Sequence, residues 1–325
     1  MSEVTDPHSA NDMTAVHANA PTSEPAAAAP PPAREPAVDR ISGALQGGVK
    51  LLIGANRKPP RRFKSLLHGT WFGHPLHPAI TVAPIGAWLL AALFDVLWLI
   101  SPSANAWAAR GAEALVIAGI VTALAAVVTG TADWSDSYGA ERTVGLYHGL
   151  LNSLALLLYI ASVILRVQVG SGETLAGASV GFVGLALVSF AAYLGGDMVF
   201  GKGTNVNHTA WEAAGEDYEA VAPVDALAEK SLQRVLVSGV PVVLLRMGER
   251  YYAISSTCSH AGGPLDEGEL QTDRRGDAIV QCPWHGSRFR MSDGKALTGP
   301  ATMAQPRYDV RVRNGQIELK RIGGH

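Results

Sequence analysis

The sequence predicts a multi-domain chain: a four-transmembrane-helix bundle followed by a small all-β antiparallel domain. Four long apolar runs lie between residues 79 and 196, short alternating runs broken by Gly, Asp and Asn fill the chain from about 223, and a polar stretch separates the two. Of the 325 residues 48% are apolar and 17% charged, and a net charge of −2 gives no electrostatic footprint for nucleic acid.

Residues 1–40, rich in Ala, Pro, Ser and Thr, cannot bury enough apolar surface to offset their ordering entropy, so a disordered tail is expected. It has no apolar stretch behind a basic start and does not read as a signal peptide. Residues 41–69 form a basic juxtamembrane segment. Within it, 41–56 has the pattern of a short interfacial helix weakened by glycines, and Arg57, Lys58, Arg61, Arg62 and Lys64 follow.

The apolar runs are Ala79–Ile100, Ala114–Thr131, Gly149–Leu165 and Thr174–Gly196, with Asp95 their only charge. At about 1.5 Å per residue each crosses, or nearly crosses, a hydrocarbon core of about 30 Å. None has the charged face that a water-soluble bundle needs, so residues 70–207 read as a membrane domain. With the basic cluster inside, the inner segments also hold Arg142 and Lys202, and the outer loops hold Arg110 and Arg166. That bias predicts a multi-pass protein of the bacterial inner membrane with both termini cytoplasmic.

Polar residues gather at the predicted cytoplasmic ends of these runs. His74 and His77 precede the first, Asp133 follows the second, His148 and Asn152 open the third, and Asp197 and His208 follow the fourth. Ordinary placement of polar groups where helices meet water accounts for them. So does a site lined for a quinone headgroup, a b-type haem or a metal ion. Asp95, deep in the first run, reads either as a proton site or as one end of an interhelical hydrogen bond.

Residues 208–222 are expected to be a polar linker, and 223–322 the β domain. Its strand-like runs are 235–237, 241–245, 251–254, 278–281, 308–312 and 316–319, with Asn314-Gly315 a strong hairpin signal. Inside this domain lie Cys258-Ser259-His260-Ala261-Gly262-Gly263-Pro264 and Cys282-Pro283-Trp284-His285-Gly286-Ser287. Two Cys and two His, each pair followed by glycine, suit either tetrahedral zinc or a two-iron cluster with two imidazole ligands. The single residue between Cys258 and His260 is tighter than usual zinc spacing.

STCSHAGGPLDEG and CPWHGSRF resemble the two ligand loops of the Rieske [2Fe-2S] family. That resemblance implies a [2Fe-2S] cluster with Cys258 and Cys282 on one iron and His260 and His285 on the other. High-potential members carry a disulfide at the places of Gly263 and Trp284, and a Ser and a Tyr at those of Ser287 and Phe289. This chain has two Cys, both taken as ligands, and lacks the Tyr hydroxyl, so the resemblance is to the ferredoxin-type branch. The ligand loops are expected to protrude, leaving both His near solvent.

GHPLHP, PIGAWLLAALFDVL, YHGLLNSLALLLYIASVILR and AAYLGGDMVFGKG resemble a bacterial four-helix membrane family of uncharacterised function, with Lys202 where a His is expected. The two resemblances together imply a membrane-anchored carrier of single electrons, working with a redox protein partner and an acceptor or donor in the membrane. It reads as an electron-transfer component rather than a complete enzyme. The alternatives are the electron-transfer component of an oxygenase system, and a redox sensor. A complete Rieske oxygenase would need a further catalytic domain.

Overall fold

A computed structural model of the protein describes residues 37–53, 62–170, 172–213 and 217–322. The expected tail up to residue 36, and Arg57, Lys58 and Arg61 of the basic cluster, lie outside the described residues.

The interfacial segment is a helix, α1 (Ala37–Leu52), starting earlier than its sequence pattern suggested. Ser42 and Gln46 are buried, whereas Ile41 and Leu45 are exposed. α2 (Arg62–His68) precedes four long helices: α3 (Leu76–Ile100), α4 (Ala106–Trp134), α5 (Gly139–Val169) and α6 (Leu175–Gly196). α4 and α5 overrun their apolar runs at both ends and α3 at its start, because a helix continues until its backbone groups are capped, not until its side chains become polar. His77, Asp133 and His148, expected just outside helices, therefore lie within α3, α4 and α5. Asp197 begins a single π-helical turn, Asp197–Gly201, at the end of α6. At the end of α4, the Gln46 side-chain amide donates to the carbonyls of Trp134 (2.9 Å) and Ser137 (2.7 Å).

The most apolar window of each long helix is only 22% to 33% buried. Most of its apolar surface faces outward, the reverse of a water-soluble bundle. α3 packs along α4, and α5 along α6. Between these hairpins, three pairs of side chains meet in sequence along the bundle. The rings of His77 and His148 stand 6.4 Å apart at 90°. Trp88 and Tyr159 stack at 4.0 Å and 9°. Asp95 Oδ2 accepts from Arg166 Nη2 at 2.6 Å. Gly119 and Gly184 give the Trp88 and Tyr159 rings room; a Cβ on either would meet its ring within 3.0 Å.

The Asp95–Arg166 pair corrects the charge count. Arg166 is fully buried in α5 and so is no outer-loop charge; Asp95 is one end of an interhelical ion pair.

Among the described residues the β domain has ten strands. One sheet has the order β1 (Glu219–Pro223), β10 (Gln316–Arg321), β9 (Arg307–Arg313), β4 (Arg250–Ser255), β3 (Val240–Met247) and β2 (Leu232–Val237). The other runs β5 (Glu269–Thr272), β6 (Ala278–Gln281), β7 (Arg288–Arg290), β8 (Ala296–Thr298). β1 takes residues read as linker: it pairs with β10 from Glu219 onward. Asn314 (φ 52°) and Gly315 (φ 76°) form the expected two-residue turn between β9 and β10. β3 is buried on both faces: Val242 and Leu244 pack in one core, Val243 and Leu245 in the other. That second core also holds Cys258, Cys282 and Phe289.

A buried ionic cluster ties α2 to the α4–α5 loop. Lys64 Nζ donates to Asp136 at 2.5 Å, and His68 Nδ1 meets Asp133 at 2.8 Å. His68 Nε2 lies 3.1 Å from Asp136 Oδ2, a charge contact without hydrogen-bond alignment. Burial pulls the His68 imidazole down, but Asp133 and Asp136 outweigh it and hold the pKa up at about 9.

Replacing Arg166 by Met is expected to destabilise the helical domain by about 3–5 kcal/mol, because Asp95 is left buried without its counter-charge. The double variant Asp95→Leu/Arg166→Met should recover most of that loss; thermal unfolding in detergent, followed by circular dichroism, measures both. The raised pKa of His68 implies stability that is complete below about pH 6.5 and lost as pH rises through about 9, of order 3 kcal/mol in all. Unfolding midpoints at pH 6 and pH 9.5 should show this loss, and His68→Gln should flatten it.

Candidate metal centre

Each candidate ligand loop starts where a strand of the β domain ends: Cys258 follows β4, and Cys282 follows β6 directly. The two loops are folded alike. The Cys258 N–H donates to the Gly263 carbonyl and the Cys282 N–H to the Ser287 carbonyl, both at 2.8 Å. Gly262 N–H closes back on Cys258 O (2.8 Å), and Gly286 N–H on Cys282 O (3.1 Å). Both closures use a glycine at positive φ, 77° and 75°, which is why glycine follows each ligand pair.

The turns bring all four expected ligands together. Cys258 and Cys282 are buried and share a hydrogen bond, and the rings of His260 and His285 stand 4.9 Å apart at 85°. Their mutual interaction lowers the Cys282 thiol and raises that of Cys258, so a proton lost from the pair leaves first from Cys282. Burial, then the neighbouring His285, drives His260 down to about 3; burial also lowers His285. Both rings are thus neutral, the form that binds metal. His260 Nδ1 is buried without a hydrogen-bond partner, a donor atom awaiting an acceptor. Among the described residues no group of three or more His, Cys, Asp or Glu side chains converges on one metal position. Two sulfurs and two imidazoles fit a two-iron cluster.

The surrounding residues are also brought in. A Cβ on Gly263 would stand 3.0 Å from both Cys282 Sγ and the Trp284 indole, so a glycine–tryptophan contact joins the loops where high-potential members have a disulfide. Ser287 Oγ accepts from Ala301 N–H at 2.9 Å, leaving its proton for another acceptor. Phe289 is fully buried in the core beneath both Cys.

Both His are half-buried, and the loops that carry them do not simply protrude into solvent. The Tyr138 ring, in the α4–α5 loop, stacks on His285 at 5.6 Å and 22°. Thr70 donates to Ala301 O (3.1 Å), Gly299 N–H donates to Ser65 Oγ (3.2 Å), and His208 N–H donates to Ser259 O (3.1 Å). The loops are docked on the membrane domain, a tertiary contact that strand patterning cannot express. Tyr138, Lys64, His68 and Asp136 were not foreseen as neighbours of the site; the polar run WSDSYG between two apolar runs was the available signal.

The five membrane-face residues do not form one site. His74 is exposed and bonds its neighbouring Pro75 carbonyl. Asp133 belongs to the ionic cluster and also accepts from Asn205 (2.8 Å). Asp197 pairs with Lys202 (2.5 Å). Only His77 and His148 face each other, beside a cavity of about 600 Å³ between the hairpins.

Comparison with known proteins agrees with this division. Residues 73–208 match the family described as predicted membrane protein (DUF2231), and residues 217–309 match the Rieske [2Fe-2S] domain. The 3-phenylpropionate/cinnamic acid dioxygenase ferredoxin subunit of Escherichia coli (strain K12) is 38% identical over 95 residues, 29% of this chain and 85% of that protein. Ferredoxin CarAc of Metapseudomonas resinovorans is 31% identical over 81 residues, 25% of this chain and 71% of that protein. Among solved structures, the ferredoxin of carbazole 1,9a-dioxygenase from Nocardioides aromaticivorans IC177 is 31% identical, covering 32% of this chain and 96% of that one, with a TM-score of 0.30. The chain belongs to the Rieske [2Fe-2S] family and carries that domain behind four apolar helices of the DUF2231 type.

Proposed function

We propose that this is a membrane-anchored Rieske protein that relays single electrons between a redox protein partner and the membrane domain. The observation that carries this reading is the stack of Tyr138 on His285, which puts an expected, half-buried iron ligand in contact with the loop between α4 and α5. Ser137, next to Tyr138, lines the cavity between the hairpins, so the path from the ligand loops inward is a few side chains long.

Cys258 and Cys282 would hold one iron and His260 and His285 the other; when bound, the cluster takes up and returns one electron at a time. The chain's own residues set its surroundings. The loop glycines shape the shell, Ser287 offers a hydroxyl proton, and Phe289 withholds the one a tyrosine would supply. Trp284 is 52% exposed and offers a partner an aromatic contact beside the second loop, away from the docked face.

Lys50, Arg62, Lys64, Arg142 and Lys202 lie at the bundle end that carries the Rieske domain, and Arg110 at the other. With Arg166 buried, this bias supports a multi-pass protein of the inner membrane with both termini on the cytoplasmic side. A second reading, the electron-transfer component of an oxygenase system, is favoured by a relative that is a dioxygenase ferredoxin subunit.

The test uses the full chain in lipid nanodiscs, reduced by a flavin-dependent ferredoxin reductase and reoxidised through the membrane. Tyr138→Ala should keep the EPR signal of the mixed-ligand cluster yet slow membrane-side reoxidation several-fold, and Trp284→Ala should slow only reduction by the soluble donor. Unchanged reoxidation in Tyr138→Ala would sink the inward path and leave the oxygenase reading. Phe289→Tyr, with its added hydroxyl beside the cluster, is expected to raise the midpoint potential by a few tens of mV in protein-film voltammetry.

A further inference from the structure

We propose that the cavity between the two helix hairpins is a haem site, with His77 and His148 as its axial ligands, one from each hairpin. It extends the electron-transfer reading, but the evidence for it lies wholly within the helices.

The two hairpins present corresponding residues at corresponding levels. The facing pairs His77 and His148, Trp88 and Tyr159, and Asp95 and Arg166 are each 71 residues apart in the chain. The second helix of each hairpin repeats as well. His77 Nδ1 lies 3.0 Å from the Ala126 carbonyl, with its ring against Gly130. His148 Nδ1 lies 2.8 Å from the Ala191 carbonyl, with its ring against Gly195. In both, the carbonyl belongs to an alanine one helical turn before the glycine. Gly119 beneath Trp88 and Gly184 beneath Tyr159 continue the correspondence. Two like hairpins running in the same direction are related by a pseudo-two-fold axis along the bundle, and the three pairs lie across it.

At two levels the paired residues differ and satisfy each other, as an aromatic stack and an ion pair. At the third they are identical and do not bond. Two imidazoles held apart beside about 600 Å³ of space gain nothing from each other; a ligand between them would give both a common partner.

The ring chemistry selects a metal centre. Each Nδ1 faces a backbone carbonyl and so carries the proton, which leaves each Nε2 with a lone pair; such carbonyl-fixed rings are typical of metal-binding histidines. Asn152 Nδ2 lies 3.2 Å from His148 Nε2, in accord with that tautomer, and its second bond, to the His148 carbonyl at 2.9 Å, holds it when the lone pair turns to a metal. With bonds of about 2 Å to the metal and roughly 1 Å from each nitrogen to its ring centre, imidazoles on opposite sides of one iron stand about 6 Å apart. The observed separation is 6.4 Å. A quinol bonded at both hydroxyls would need its acceptors several ångströms further apart. A bare metal ion would have two protein ligands and leave most of the cavity unfilled. A flat macrocycle between the hairpins fills it, with Trp88 as the floor and Leu146, Leu156 and Met198 among the walls.

The full chain, produced in cells supplied with a haem precursor and purified in detergent, should contain one low-spin haem per chain by pyridine haemochromogen assay and optical spectroscopy. His77→Ala and His148→Ala should each lose most of it, external imidazole should restore the low-spin spectrum in His77→Gly, and His74→Ala should leave it unchanged. The Rieske EPR signal, expected in every variant, reports folding and keeps a failure here separate from a failure of the electron-transfer reading. A wild-type protein that carries no haem and takes up no added hemin overturns the assignment. Haem retained in both alanine variants, or quinone extracted in stoichiometric amount from haem-free protein, does the same.

Discussion

Charge taken out of water must meet its opposite, and in this protein one such meeting sets the position of the rest. Lys64, His68, Asp133 and Asp136 form a closed group at the bundle end nearest the Rieske domain. Its geometry fixes α2 across the end of α4. From α2 and the residues just after it, Ser65 and Thr70 hold the backbone at Gly299 and Ala301, and Ala301 in turn bonds Ser287 in the second ligand loop. The register between helices and ligand loops therefore passes through a few hydrogen bonds anchored on that group. Opening it leaves charges without partners, a penalty much larger than that of breaking a surface contact.

The ligand loops show a different economy. Both are closed by the same backbone bonds, so their shape does not depend on a covalent bridge. Where the high-potential branch has a disulfide, Gly263 lies under the Trp284 indole, a packing contact that excludes water on one side while leaving the ring half in solvent. Such a joint holds the sulfurs in place and still gives way locally, which suits a surface that meets a protein partner repeatedly.

Much of this was legible in the sequence, for identifiable reasons. Long uncharged runs have one stable solution in lipid, so the four helices were readable. Two Cys and two His in glycine-closed clusters are too specific to arise from packing alone. What could not be read depended on tertiary contact. β5, β7 and β8 have three or four residues each, too few for alternation to register. β1 is read as linker until β10 pairs with it. Arg166 reads as a loop charge until Asp95 appears beside it. The membrane-face residues were recognised as a set, but only folding shows that His77 and His148 are a pair while Asp133 and Asp197 have other partners. The 71-residue offset was present in the sequence throughout, but its meaning needs the facing side chains, since the matched residues are mostly unlike.

The Trp88–Tyr159 stack has a further effect. Two flat rings at 4.0 Å, each seated on a glycine and almost wholly enclosed, form a close-packed layer in the middle of the bundle, with the Asp95–Arg166 pair beyond it. The chamber beside His77 and His148 is accordingly floored by packed aromatic rings, which separate it from the buried ion pair at the next level.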